Sequence, residues 1–530
     1  MSASATGATS SVSFALTNVT ANTYAFYVTG SETINPANGG DNFYCLAGAV
    51  TIDGNGDVLG GEQDYNDGNG ITSQQPAGDT ILPATAALSI STPAIGQGTL
   101  TLTTSNPAVG VDGVETFGIL FVNDNHALIS QFDASATSSG SLDLQTAGTP
   151  SRGFAFTVSG VDAGYDPIAF GGVFTYGGSG ANGVVDSNDA GAVTPQEPLT
   201  ITINAGDSYG RGTITSSLVY GTAAILLNYY MVGPEAIRII DVDATDSAVG
   251  SAFGQGTNAG ASSNASLGSS VFSMASNPWA SRVGAVGQFT TNAMVATFQG
   301  VADDNEPANG ISALDFFISG TYSVASSGYG SLTFTSELGT VSGLQIYLTD
   351  PGLNLNDPNN PTGGGGALAL DLNDGALAGA TGVVTPQTDT ATSDFNGPYA
   401  VGGQDFNSIG FCTLCEVDIL GQGTMTSGGG FSATVMISDP FETLSTNATD
   451  PAVTFSGTPP PDFANPGRYS SFPLDFTVGT ASQIFNMVIY QASAGQLFWL
   501  DLDENSLLVG PIEQQESLAA PAVRKFAAKR

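Results

Sequence analysis

Residues 117–145 read FGILFVNDNHALISQFDASATSSGSLDLQ, which is an apolar run, a short polar turn, a second apolar run closing on Asp133, and a polar tail. The same arrangement returns at residues 224–255, 344–387 and 485–515, each time ending in Gln. Aligned on the closing apolar–Asp step, the copies place four acids in one column, spaced by 108, 130 and 130 residues: Asp133, Asp241, Asp371 and Asp501. A period this long predicts tandem domains that each end in the same hairpin.

Short apolar runs bounded by Gly, Asn and Asp recur along the whole chain, which predicts an all-β protein. The predicted organisation is a flexible leader at 1–11, β-domains at 12–148, 149–256, 271–387 and 388–515, a linker at 257–270, and a basic tail at 516–530. Eight or nine short strands per domain, joined by tight turns, favour an antiparallel meander. We expect an up-and-down β-barrel, because closure removes the sheet edges, with a β-sandwich as the alternative.

The composition excludes several classes of function. Nine Lys and Arg face 47 Asp and Glu, and the net charge of −38 argues against a nucleic-acid partner. No apolar stretch is long enough for a transmembrane helix. Three cysteines are too few for a disulfide framework. The acidic, Lys-poor composition predicts an exported protein at the cell surface or outside the cell.

A second recurrence is a Gly-x-Gly step before alternating Thr and Leu, at Gly96, Gly210 and Gly328. It indicates a turn that enters a half-buried strand, since no helix follows to make a phosphate loop. In the Asp column, Asp241 with Asp243 and Asp501 with Asp503 are spaced like paired glycosidase carboxylates. Each column Asp follows an apolar residue, so we expect the acids to face water.

Further candidate sites come from residue spacing alone. Asp53, Asn55, Asp57 and Asp64 fall at positions 1, 3, 5 and 12 of an EF-hand-like loop, a Ca²⁺ pattern, although a plain hairpin turn fits as well. The Asp/Asn clusters at 64–67, 186–189 and 303–306 fit either shared metals or turn chemistry. Cys412 and Cys415 form a candidate local disulfide that requires a bulge or turn. His126 lies in a turn and is expected at the surface.

The barrel pattern is similar to the streptavidin and lipocalin style of meander. The composition and the repeated hairpin resemble Gly/Ser/Asn-rich tandem-repeat proteins exported by environmental bacteria, and this resemblance implies no known chemistry. The leading hypothesis is a non-enzymatic surface or matrix protein, acting as spacer, filament subunit or adhesin through self-association or cell-surface components. The alternatives are a small-ligand or glycan binder that uses barrel cavities and, more remotely, a glycoside hydrolase. No cofactor is expected other than Ca²⁺.

Overall fold

The computed structural model describes residues 2–3, 12–13, 20–32, 42–68, 77–92, 94–148, 150–176, 180–220, 223–243, 246–256, 259–276, 283–307, 311–336, 341–360, 365–372, 379–407, 415–438, 453–478, 481–504 and 506–516. The predicted basic tail lies outside these residues from position 517 onward, and the predicted leader contributes only Ser2–Ala3.

The first two strands, β1 (Ser2–Ala3) and β2 (Val12–Ser13), pair with each other. A nine-stranded antiparallel sheet then forms barrel 1 from β3 (Ala21–Glu32), β4 (Asn42–Asp53), β5 (Val58–Asn66), β6 (Asp79–Ile81), β7 (Leu88–Thr92), β8 (Gln97–Thr103), β9 (Val114–Asn123), β10 (His126–Phe132) and β11 (Ala136–Leu144). Its order is β6-β5-β4-β3-β11-β10-β9-β8-β7. The amide of Leu82, just after β6, donates to the carbonyl of Thr103 on β8 at 2.7 Å, so the two ends of the sheet meet.

The next three sheets are closed eight-stranded barrels in which consecutive strands are neighbours. Barrel 2 consists of β12 (Gly153–Val161), β13 (Pro167–Tyr176), β14 (Gly180–Asp189), β15 (Ala192–Ile203), β16 (Arg211–Tyr220), β17 (Ala223–Gly233), β18 (Ala236–Asp241) and β19 (Ser247–Gly254). A 3-10 turn at Asn264–Ser266 precedes barrel 3.

Barrel 3 consists of β20 (Ser270–Ala275), β21 (Gly284–Asn292), β22 (Thr297–Glu306), β23 (Ile311–Val324), β24 (Tyr329–Ser336), β25 (Val341–Leu348), β26 (Ala367–Asp371) and β27 (Thr381–Pro386). Barrel 4 consists of β28 (Gly397–Asn407), β29 (Cys415–Met425), β30 (Phe431–Ser438), β31 (Val453–Gly457), β32 (Arg468–Val478), β33 (Ala481–Ser493), β34 (Gln496–Asp501) and β35 (Ser506–Gln514). The predicted all-β class and the tandem antiparallel barrels are confirmed.

Each barrel is filled by its own apolar core. The inward positions of barrels 1, 2, 3 and 4 form four separate clusters of buried Phe, Ile, Leu, Val and Tyr side chains. Three further clusters lie between barrels and are built from outward positions. The barrel sheets therefore bury side chains on both faces, and neighbouring barrels pack directly against one another.

A repeated glutamine clamp joins each barrel to the next. The residue directly after the last strand of every barrel is Gln, and its Nε2 donates to backbone carbonyls of the following barrel. Gln145 donates to Tyr209 and Met231 at 2.7 Å each, and Gln255 donates to Ser327 and Leu348 at 2.8 and 2.9 Å. Gln387 donates to Gln491 of barrel 4 at 3.0 Å.

The fourth clamp closes the chain into a ring. Gln515, after the last strand of barrel 4, donates to the carbonyls of Ile95 and Phe121 in barrel 1 at 3.0 and 2.9 Å. The amide of Glu516 adds a bond to the carbonyl of Val122 at 3.0 Å. The four barrels thus form a closed ring in which every barrel contacts both of its neighbours.

Three of the four interfaces contain a buried carboxylate from the third strand of one barrel. Asp64 accepts from Arg211 and Tyr230 of barrel 2, with Arg211 Nε at 2.8 Å. Asp186 accepts from Tyr329 and Tyr347 of barrel 3. The third, Asp303, accepts from Arg468 and Tyr490 of barrel 4. Arg211 and Tyr329 directly follow the first Gly of the Gly-x-Gly strand opener, and Arg468 directly follows Gly467.

The fourth interface replaces this polar set with an apolar one. Met436, on the third strand of barrel 4, is the counterpart of the three aspartates. The pairs between the second and third strands show this equivalence: Ala47↔Asp64, Gly171↔Asp186, Val286↔Asp303 and Leu420↔Met436. Met436 packs in one buried cluster with Leu120, Val122, Leu128, Ala400 and Leu420. Barrels 4 and 1 therefore meet through an apolar contact, flanked by Thr137 and Ser139, which donate to Asp418.

The interface between barrels 2 and 3 requires a glycine at position 171. A Cβ added there would clash with the Tyr347 ring. The hydroxyl of Tyr347 donates to Asp186 at 2.7 Å. We expect Gly171→Ala to lower the free energy of unfolding by about 1–3 kcal/mol, because Tyr347 must move off its carboxylate. Urea unfolding measures this. Gly268→Ala, at an exposed site with open space around it, is the control and should change stability by less than about 0.5 kcal/mol.

Candidate functional site: a cavity at the centre of the ring

A cavity of about 330 Å³ lies where the four barrels meet. It is lined by the first and last strands of barrels 1, 2 and 4, which are β3 and β11, β12 and β19, and β28 and β35, and by β27 of barrel 3. Every barrel contributes to the lining, including Tyr27, Ser141, Thr157, Ser251, Val383 and Gln404. The cavity is thus a product of ring closure, and none of the barrels could form it alone.

The polar end of the cavity is built around His126. His126 begins β10 and lies directly across from Asp143 on β11, so the antiparallel register brings the two side chains together. His126 Nδ1 is 2.8 Å from Asp143 Oδ1, and Nε2 is 3.6 Å from Glu513 Oε2 of barrel 4. All three residues are buried, and the expectation that His126 lies at the surface is wrong.

Barrel 2 supplies the cation of this cluster. Arg238 on β18 donates through NH2 to Asp143 Oδ2 at 2.6 Å and to Ser141 Oγ at 2.9 Å. Its guanidinium carbon lies 4.4 Å from the centroid of the Tyr27 ring, a cation–π contact across the barrel 1/barrel 2 interface. Arg238 is therefore fixed in place by groups from two barrels.

The segment that follows β25 in barrel 3 reaches the same cluster. Asp357 is buried and accepts from Asn123 Nδ2 of barrel 1 at 2.6 Å, and Leu355 and Asn356 line the cavity. Barrels 1 and 3, on opposite sides of the ring, are thereby connected across its centre.

The charges of the cluster stabilise one another. Burial disfavours the protonated form of His126, but the charges of Glu513 and Asp143 outweigh it, so the pKa of His126 lies well above its usual range. Burial also disfavours the charged form of Asp143, but the neighbouring Arg238 and His126 outweigh this effect and lower the pKa of Asp143 to about 2. Burial raises the pKa of Asp357. The site therefore holds an imidazolium and a guanidinium around Asp143 at neutral pH.

Three buried polar atoms at this end make no hydrogen bond within the described part of the chain. They are His126 Nε2, Arg238 Nε and Glu513 Oε1. A buried polar group without a partner costs about 1–3 kcal/mol, so each is a candidate contact for a molecule in the cavity. The rest of the lining includes hydroxyls and amides that suit an uncharged polar ligand, among them Thr29, Ser139, Ser159, Thr381 and Gln404.

The residues of the sequence-predicted calcium loop do not all lie together. Asp53, Asn55 and Asp57 form the β4–β5 turn, where Asp53 Oδ1 accepts from the amides of Asn55 and Asp57 at 2.7 and 3.1 Å. Asp64 is in β5, with its carboxylate bound to Arg211 in the barrel 1/barrel 2 interface. Calcium binding by this loop stays a prediction.

The Asp column lies between barrels rather than in solvent. Asp241, Asp371 and Asp501 are buried, and Asp133 is partly buried, so the expectation that these acids face water is wrong. Their backbone carbonyls accept from the Asn of a recurrent Asp-x-Asn step in the preceding barrel: Asn66 to Asp241, Asn188 to Asp371 and Asn305 to Asp501, at 2.7–3.0 Å. The predicted Asp/Asn clusters thus form interfaces.

The remaining candidates have separate positions. Cys412 lies outside the described residues and Cys415 begins β29, so their predicted disulfide is not described. Cys45 is a buried free thiol in β4. Trp499 is buried in the core of barrel 4 and is therefore not placed to contact a sugar at the surface.

No family model and no curated protein matches the chain. Among solved structures, the chain is similar to the isotype 1 transferrin binding protein B from serogroup B Neisseria meningitidis, with 9% identity and a TM-score of 0.19 over 92% of this chain and 99% of that one. A similarity this low carries no argument about function. Among the described residues, no helix has the length and apolar character needed to cross a membrane.

Proposed function

We propose that the chain is a non-enzymatic, exported bacterial surface or matrix protein in which four barrels form one rigid structural block. The barrel interiors support this proposal, because apolar side chains fill the space that a ligand-binding barrel would leave open. The paired acids do not favour a hydrolase, since Asp241 and Asp501 are 1% and 0% exposed between barrels.

The observation that carries the proposal is ring closure. The clamp from Gln515 to barrel 1, together with the apolar cluster that includes Met436 of barrel 4 and Leu120 and Val122 of barrel 1, joins the last barrel to the first. Tandem domains on flexible linkers move independently unless their interfaces are large and apolar. Here every barrel is held on two sides, which suits a load-bearing spacer or assembly subunit.

The charge of the chain supports an exterior location. With only nine cations against 47 acids, the surface repels other polyanions and favours solubility. The ring also leaves few strand edges for uncontrolled pairing, because three sheets are closed and the ends of the first meet.

Two measurements test this function. Antibody against the purified chain should label intact cells of the source organism, and labelling only after permeabilisation would contradict export. Electron microscopy should show compact four-lobed rings, single or stacked, with no bound sugar on a glycan array. Single particles that bind a defined glycan tightly would contradict the structural role.

A second candidate function is the binding of a small polar molecule in the central cavity, which is favoured by the atoms of His126, Arg238 and Glu513 that make no hydrogen bond within the described residues. The volume of about 330 Å³ fits a monosaccharide or polyol. A panel of neutral sugars and polyols at millimolar concentration should then raise the melting temperature of the wild type and have less effect on Glu513→Gln. Equal melting temperatures with and without every compound would eliminate this candidate.

A further inference from the structure

Three acids form a buried cluster at the end of the closing hairpin of barrel 2. Asp241 ends β18, Asp243 follows it, and Asp246 directly precedes β19. Their exposed fractions are 1%, 7% and 0%. One carboxylate oxygen from each lies within 4.8 Å of the other two.

Barrel 4 contains the same arrangement with one difference. Asp501 Oδ1 accepts from the amide of Asp503 at 3.0 Å, just as Asp241 Oδ1 accepts from the amide of Asp243 at 2.9 Å. Asn305 donates to the carbonyls of Asp501 and Ser506 at 2.7 and 2.8 Å. These bonds place Ser506 at the position that Asp246 occupies in barrel 2.

The corresponding amide in the barrel 1/barrel 2 interface is Asn66. It donates to the carbonyls of Asp241 and Asp246 at 3.0 and 2.7 Å. The backbones of the two hairpin ends are therefore held in the same way. The comparison depends on a single side chain, which is Asp246 in barrel 2 and Ser506 in barrel 4.

That side chain determines whether the carboxylate of Asp241 or Asp501 receives a hydrogen bond. In barrel 4 the hydroxyl of Ser506 donates to Asp501 Oδ2. In barrel 2 the same position holds a carboxylate, which has no proton to donate when ionised. Asp241 Oδ2 is buried and makes no hydrogen bond within the described residues. A buried acceptor facing further carboxylates requires a cation or a proton.

We propose that Asp241, Asp243 and Asp246 bind one Ca²⁺ ion at the interface between barrels 1 and 2. Calcium takes oxygen ligands at about 2.3–2.6 Å, so two ligands on opposite sides of the ion lie up to about 5 Å apart. The 4.8 Å limit on the three oxygens fits within that span. Three carboxylates at one point also give the negative charge that a divalent cation compensates.

Bound Ca²⁺ would connect the hairpin end of barrel 2 more firmly to Asn66 of barrel 1, which already donates to the carbonyls of Asp241 and Asp246.

The test is calorimetric titration of the chelator-treated full chain with CaCl₂. We expect one ion per chain in the wild type, and a loss of affinity of more than about tenfold in Asp246→Ser, which copies barrel 4. Because the introduced hydroxyl can donate to Asp241, Asp246→Ser should melt at a higher temperature than the wild type in chelator and should show no further rise with Ca²⁺.

Controls separate this site from the β4–β5 turn. Asp57→Asn should leave the titration unchanged, whereas loss of binding in that variant would assign the ion to the turn and overturn the proposal. A wild type that binds no Ca²⁺, or an Asp246→Ser variant that binds as tightly as the wild type, would also overturn it. If Asp246→Ser does not fold, as judged by circular dichroism, Asp246→Asn gives the same comparison of affinity.

Discussion

Replacement of Asp303 by alanine is expected to lower the free energy of unfolding by about 3–5 kcal/mol, because it leaves a buried guanidinium without its main partner. Arg468 Nε and NH2 bind the two oxygens of Asp303 at 2.9 and 2.8 Å, and Tyr490 donates to the same carboxylate. Asp303 is 0% and Arg468 3% exposed. Urea unfolding of the full chain measures the loss.

The apolar interface between barrels 4 and 1 provides a matched control for this experiment. There Met436 takes the place of Asp303, Leu120 that of Tyr490 and Gln97 that of Arg468, since the cross-strand pair Gln97↔Leu120 corresponds to Arg468↔Tyr490. The triple variant Asp303→Met/Arg468→Gln/Tyr490→Leu copies that set and should regain much of the stability lost in Asp303→Ala, since replacing a whole buried ion pair costs far less than removing one partner. A triple variant no more stable than Asp303→Ala would contradict the equivalence of the interfaces.

The sequence predicted the β-class, the number of barrels and the repeated hairpin because these depend on local patterns. Alternation of apolar and polar residues marks strands, and Gly and Asn mark turns. Alternation also suggested that one face of each sheet is solvated. That inference failed in the ring, where outward residues such as Asp241 and Asp501 are buried against a neighbouring barrel.

The sequence contains a pattern that predicts the interfaces, but it is visible only when successive repeats are compared. Each of three barrels has an Asp-x-Asn step in its third strand, at Asp64, Asp186 and Asp303, and the next barrel has Arg or Tyr directly after a Gly, at Arg211, Tyr329 and Arg468. Read together, an acid in one repeat and a donor in the next indicate contact between repeats. Read separately, they resemble turn chemistry.

The central cluster could not be predicted in this way. His126 occurs in only one copy of the hairpin, and its partner Glu513 belongs to the fourth barrel. Only closure of the ring brings the two side chains together. Closure depends on Gln515 and on apolar packing between barrels 4 and 1, and the sequence pattern alone does not show which faces of the two barrels meet.

The stability of the protein is expected to fall as the pH rises from about 5 to about 8.5, because buried carboxyls hold protons in the folded state. Burial raises the pKa of Glu115 to about 8 and those of Glu32 and Asp418 to about 7. Consider an acid whose pKa is higher in the folded than in the unfolded chain. Below its unfolded pKa, near 4.5, it does not affect the free energy of unfolding, and it destabilises the fold as the pH rises from there through its folded pKa. His126, with a raised pKa, acts in the same direction.

Glu115 makes the largest single contribution that can be tested cleanly. It is 0% exposed inside barrel 1, where Gln63 Nε2 donates to its Oε2 at 2.8 Å. Gln63 Oε1 and Glu115 Oε1 both make no hydrogen bond within the described residues. A proton on Glu115 would give the pair the donor that it needs, and so would the amide of a glutamine at that position.

Glu115→Gln should therefore raise the melting temperature at pH 8.5, change it little at pH 5, and flatten the pH dependence between them. Each tenfold difference in proton affinity between folded and unfolded chains corresponds to about 1.4 kcal/mol, so the gain at high pH should reach several kcal/mol. Melting temperatures across this range measure it, with Glu197→Gln, at an exposed position on β15, as the control that should leave the curve unchanged. If Glu115→Gln lowers stability equally at both pH values, Glu115 is ionised in the folded protein, and the pH dependence must come from other groups.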